Sequence, residues 1–74
     1  MESIYLAHVA DSITRINAAN GVTDSDYDAV ADFAGELLAD YPNLGEIALD
    51  YDKGRITAHV LDVIVECYIN VAGA

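Results

Sequence analysis

Five carboxylates recur every four residues between Thr23 and Tyr41: Asp24, Asp28, Asp32, Glu36 and Asp40. An α-helix turns that spacing into one row, and the residues between them agree. Tyr27, Val30, Ala31, Ala34, Leu37, Leu38 and Tyr41 recur at three and four, which lines up a second, apolar face that has to be buried. No lysine or arginine interrupts the acidic row. Each like-charge i,i+4 pair costs about 0.2–0.5 kcal/mol, so the helix carries an uncompensated repulsion. Asp24, Asp26 and Asp28 offset part of it at the positive end of the helix dipole, whereas Asp40 sits at the wrong end.

The partners of such a face are bounded by the charge of the whole chain. Thirteen acids oppose Arg15, Lys53 and Arg55, a formal net charge of −10. Direct binding to DNA, RNA or an anionic membrane is disfavoured, because phosphate contacts need Lys and Arg. A basic protein surface is favoured by the same field. With 74 residues the chain predicts a single domain over 1–74, and its 54% apolar content supplies a core rather than a disordered tail. Cys67 has no second cysteine with which to form an internal disulfide, which fits a reducing, cytoplasmic setting. The first twenty residues carry Glu2 and Asp11 and do not read as a signal peptide. No apolar run is long enough to span a bilayer.

Ahead of the acidic stretch, Met1 to Asn20 reads as a first helix with Leu6, Val9, Ala10, Ile13 and Ile16 on its buried face. His8, Asp11 and Arg15 lie opposite, with Asp11 and Arg15 spaced to pair. Asn20-Gly21 stops it, glycine taking the left-handed position after the helix. Thr23 is expected to cap the second helix, with Asp26 three residues on. Pro42 ends that helix, and Pro42 to Gly45 is expected to be a loop.

Beyond Gly45 the pattern admits two readings. Ile47, Leu49 and Tyr51 alternate, as do Ile56, Ala58 and Val60, around Asp52-Lys53-Gly54-Arg55. A two- or four-residue loop sets these apolar positions opposite one another in a hairpin. Val63, Val65, Cys67, Ile69 and Val71 then continue as a third strand. In the other reading Arg55, His59, Asp62, Glu66 and Asn70 form the polar stripe of a helix. Half of residues 56–71 are β-branched, and a helix apolar on three sides is hard to cover in so small a chain. The expectation is therefore α+β, two antiparallel helices on a three-stranded antiparallel sheet (ααβββ). The alternative is mostly α, with a short hairpin and a third helix over 55–70.

Chemistry-bearing spacings are weak. Asp24-x-Asp26-x-Asp28 starts like a calcium loop, but Ala29 stands where glycine is needed and Gly35 where the bidentate acid belongs. Asp50-x-Asp52-x-Gly54 fails similarly. His8, His59 and Cys67 lack zinc-ligand spacing. Asp11-Ser12-Ile13 shares the Asp-Ser pair of acyl carrier attachment sites, but the serine falls in mid-helix without the flanking glycine. Cys67 reads as a buried, inert thiol and His59 as an exposed imidazole. No catalytic residue, metal site or cofactor is expected.

What the residues do offer is a surface. Asp24, Asp28, Asp32, Glu36 and Asp40, with Asp50 and Asp52 nearby and Phe33 at the border as an aromatic anchor, form the candidate partner-binding set. Charge rows are commonly just solvated faces, or an adaptation to a salt-rich cytoplasm. The sharper reading is imitation of a nucleic-acid backbone: one carboxylate every ~6 Å along the helix, against one charge per ~1.7 Å of duplex axis. Ile64 and Tyr68, on the outer sheet face, are the candidate contact of a homodimer. In size, acidity and lack of catalytic spacing the chain is similar to inhibitors from phages and mobile elements, including anti-CRISPR and anti-restriction proteins that occlude nucleic-acid-binding surfaces. That similarity rests on no motif. The expected function is thus a non-enzymatic module that docks on a basic nucleic-acid-binding protein. The alternatives are an assembly subunit dimerising through its sheet, or an immunity or antitoxin protein that neutralises a basic nuclease.

Overall fold

The computed structural model describes residues 4–73. Four helices follow one another: α1 (Ile4–Ala19), α2 (Tyr27–Asp40), α3 (Asn43–Asp52) and α4 (Ala58–Ala72). Among the described residues there is no strand. The expected sheet is therefore overturned, and the mostly-α alternative fits, with its C-terminal helix present as α4 although its short hairpin is not.

α1 is the centre of the bundle and meets all three other helices. The face read from the sequence is the face that is buried: Val9, Ala10, Ile13 and Ile16 all lie in the core, with Leu6 packed beside them. Its last turn closes as anticipated. Gly21 adopts φ +88°, the Val22 N–H reaches back to the Asn17 carbonyl at 2.8 Å, and the Gly21 N–H to that of Ala18 at 3.1 Å. These two bonds are the Schellman pattern, and only glycine takes that φ without strain.

The start of α2 differs from expectation. Asp26, not Thr23, is the N-cap, its carboxylate accepting from the Asp28 N–H at 3.1 Å. Asp24 therefore falls in the loop before the helix. α1 and α2 run antiparallel. Asn17, late in α1, bonds Ser25 at the entrance to α2, and early in α1 the Leu6 side chain lies over Gly35, 3.9 Å from where a Cβ would stand. Val30, Ala34 and Leu37 fill the seam.

Pro42 does not open a loop. It precedes the first turn of α3 with φ −57°, the value a helix start needs, and Leu44 and Gly45 already bond back to Tyr41 and Pro42. Two periods compete here: Ile47, Leu49 and Tyr51 alternate, but Leu44, Ile47, Ala48 and Tyr51 recur at three and four. The helical set wins because Leu44 and Ala48 become fully buried. Asp52 to Arg55 turn the chain as expected for a loop, but between two helices and not between the strands of a hairpin. Gly54 takes φ +75°, the Arg55 N–H reaches Asp50 at 2.8 Å and the Gly54 N–H reaches Tyr51 at 3.0 Å, the same closure as α1.

With no strand before it, the segment from Ile56 onward has no sheet to join. Thr57 caps α4, its hydroxyl accepting from the Val60 N–H at 3.2 Å. Leu61 and Val65 are completely buried against α1. β-Branching costs only tenths of a kcal/mol per residue in a helix, whereas burying a Leu or Val side chain is worth about 1.5–3 kcal/mol. The balance selects the helix.

Candidate functional site

Asp28, Asp32, Glu36 and Asp40 all lie on α2 and all are exposed, so the row exists with four members. Asp24 is exposed in the preceding loop, outside it. Among the described residues, no Lys, Arg or His pairs with these four carboxylates. The twelve-residue separation from Asp28 to Asp40 spans roughly 18 Å at 1.5 Å per residue.

Asp50 and Asp52 do not join the row as free charges. Both stand in the last turn of α3. Arg55 Nη1 donates to Asp50 Oδ1 at 3.3 Å, and His8 Nε2 donates to Asp52 Oδ1 at 3.0 Å. The His8 ring also meets Tyr51 edge-on at 4.9 Å. Arg15 is committed too, but not to Asp11 as its spacing suggested. Its guanidinium forks onto Asp62 of α4, with Nη2 2.8 Å from Oδ1 and Nε 3.0 Å from Oδ2. Ser12, fully buried, adds a hydroxyl at 2.6 Å to the same Oδ1. Burial pushes the Asp62 carboxyl upward, but the hydrogen bonds from Arg15 and Ser12 and the Arg15 charge outweigh it, and the net direction is below the ordinary 3.8. Arg15 moves upward for the reciprocal reason, its hydrogen bond to Asp62, against the opposing effect of burial. This knot ties α4 to α1.

Phe33 is half-buried, packed on the core from one side. On its other side it lines a cleft of about 630 Å³ where α2 and α4 stand apart over the end of α1. The floor is apolar: Ile13 and Ile16 from α1, Ala29, Val30 and Phe33 from α2, Ile69 from α4. The rim is polar, with Asn17, Asn20, Ser25 and Asp26 at one side and Glu66 and Asn70 at the other. Phe33 stands at the border of the acidic row, as expected, and the cleft is what that border overlooks. The sequence pattern does not single out Asn17, Asn20 or Glu66 as site residues; the helical polar stripe through Glu66 and Asn70 was the available signal.

The dimer candidates are placed differently from the reading. Tyr68 is half-buried, its ring 5.2 Å from that of Tyr41, and it belongs to the packing of this chain. Ile64, one helical turn earlier, is half-buried too. The apolar face that α4 exposes is Val60, Val63, Cys67 and Val71, at relative exposures of 40% for Val60, 50% for Val63 and 62% for Val71. Cys67 is exposed, contrary to the expected buried thiol, because a helix separates it from Val65 where a strand would have joined them. His59 is exposed, as read.

Among the described residues, no three or more His, Cys, Asp or Glu are grouped to hold a metal ion, and no helix is long and apolar enough to cross a membrane. In chemistry the site is an all-α bundle carrying an acidic helix beside an open apolar cleft. No protein family, no curated protein and no solved structure matches the chain.

Proposed function

We propose that the protein is a non-enzymatic binding module of the cytoplasm that docks its acidic face, Asp28, Asp32, Glu36 and Asp40, on the basic surface of a nucleic-acid-binding protein and occludes it. The observation that carries this reading is the row itself: four exposed carboxylates on one helix, unneutralised by any described basic residue. Leaving such a row bare costs stability through like-charge repulsion, and a basic partner recovers that cost on docking. This is the role that the similarity to inhibitors from phages and mobile elements implies, and an immunity protein against a basic nuclease would use the same physics.

The test is a parallel capture. Wild type and a variant carrying Asp28→Asn, Asp32→Asn, Glu36→Gln and Asp40→Asn are immobilised and exposed to the same lysate at low salt. The reading expects a basic nucleic-acid-binding protein retained by wild type only, released by salt, and competed by nucleic acid. Identical retention on both surfaces overturns it.

One observation favours a second reading, self-association. The stripe Val60, Val63, Cys67 and Val71 holds no charged residue. Glu66 is exposed at its edge and lines the same hollow as Val63 and Cys67, so two copies of net charge −10 that meet on this face bring carboxylates to its border only. This replaces the sheet-mediated assembly expected from sequence.

A further inference from the structure

We propose that the cleft between α2 and α4 is the specificity element of the docking face, seating a basic amphipathic helix of the partner protein. This rests on the reading of the acidic row as a docking surface and adds to it a place where shape, not charge alone, selects the partner.

The two faces of the occupant follow from two properties of the cleft. Its floor, Ile13, Val30, Phe33 and Ile69, offers apolar surface and no charge. The charged residues that line it are both carboxylates. Asp26 stands on the α2 side and Glu66 on the α4 side, so a segment lying in the cleft has a carboxylate on either flank. Asn17 donates one amide N–H to Ser25 Oγ at 3.2 Å and Asn20 one to the Ile16 carbonyl at 3.0 Å, and the side-chain oxygens of both are acceptors. No Lys or Arg lines the cleft. The complement is a ligand with an apolar stripe and donors along both sides, and an amphipathic helix rich in Lys or Arg has that shape. The volume, about 630 Å³, lies in the range of binding clefts (~300–1,000 Å³), and it is open to solvent rather than enclosed.

A second copy of this chain does not meet the requirement. Arg15 is tied to Asp62 and Arg55 to Asp50, and Lys53 is the one other basic residue of the sequence. No segment here is basic and amphipathic. The acidic row runs along the same helix as Ala29 and Phe33, so an approaching basic partner is drawn to the helix that forms one wall of the cleft.

The probe is a short fluorescein-labelled peptide of leucine and lysine at helical spacing. Its scrambled isomer, and a leucine–glutamate version, serve as comparisons. Anisotropy gives affinity, and amide shifts on the ¹⁵N-labelled protein give location. The proposal expects the amphipathic basic peptide to move the amides of Val30, Phe33, Ile69 and Asn70 and to bind at least ~10-fold tighter than its scrambled isomer. Ala29→Trp, at an exposed position, fills the cleft and should abolish that preference; Glu66→Gln should weaken binding a few-fold. Equal binding of both basic peptides, an unaffected Ala29→Trp, comparable binding of the acidic peptide, occupation by a second copy seen as concentration-dependent shifts without peptide, or no binding each overturn it. The two readings fail separately. If Ala29→Trp binds as wild type while neutralising Asp28, Asp32, Glu36 and Asp40 abolishes binding, the row stands and the cleft falls. If the neutralised variant binds as wild type and Ala29→Trp does not, the cleft stands and the row falls.

Discussion

Ser12 and Asp62, fifty positions apart in sequence, share a hydrogen bond of 2.6 Å that pins α4 to the central helix. The serine is fully buried and the carboxylate half-buried, and Arg15 closes the group from outside with its fork. Removing either partner has unequal consequences. Ser12→Ala takes away a donor yet leaves Asp62 paired with Arg15, so it should cost about 1 kcal/mol. Asp62→Ala orphans the buried hydroxyl and releases the arginine, so it should cost more, about 2–3 kcal/mol. Urea unfolding of the two variants gives the order directly. A serine variant as damaging as the aspartate variant would show that the pairing is not the joint described.

The same carboxyl gives the fold a pH signature. Because its folded value is depressed below 3.8, the stabilisation from Asp62 is present above its unfolded value and is lost as pH falls through the folded one. The stability difference between wild type and Asp62→Asn should therefore be constant near neutrality and shrink below about pH 4, since the amide cannot protonate. Denaturation curves at stepped pH measure that difference. A gap that widens toward acid contradicts the depressed titration.

On α2 the prediction is a gain. Glu36 has Asp32 and Asp40 as its i±4 neighbours, so Glu36→Lys turns two repulsions into two attractions. The expected stabilisation is about 0.5–1.5 kcal/mol at low salt, fading as screening shortens the range of exposed charges to ~3 Å at 1 M. Thermal melts across a salt series check it. The same variant should bind a basic partner more weakly, chiefly through slower association.

The helices of the first half were legible because one period governs each. Val9, Ala10, Ile13 and Ile16 admit no alternation, and neither do Val30, Ala34 and Leu37. From Leu44 onward the residues satisfy both periods, and the choice turned on β-branching, a weak preference that burial of Leu61 and Val65 overrides. The objection that a helix there is hard to cover was physically sound. The chain answers it by leaving Val60, Val63 and Val71 exposed. The acidic row was visible in the spacing, although its first member was lost when Asp26 rather than Thr23 took the cap. The cleft was not legible, because it exists only through the separation of α2 and α4 over the end of α1, which no local pattern records.

Val63 and Val65 separate the two architectures most sharply. Two residues apart, they share a face in any strand and must respond alike to substitution. In α4 they lie on different sides: Val65 is completely buried and Val63 is half exposed. Val65→Lys puts an unpaired ammonium into the core and should unfold so small a domain, whose total stability is only about 5–15 kcal/mol. Val63→Lys should change monomer stability by no more than about 0.5 kcal/mol. Circular dichroism and chemical denaturation of the pair suffice, and equal damage from both substitutions would argue for the strand. The exposed variant also reports on assembly: if α4 carries a self-association face, sedimentation of Val63→Lys should show a monomer at concentrations where wild type dimerises. Wild type that sediments as a monomer throughout, or a dimer indifferent to the lysine, removes the stripe as a self-contact.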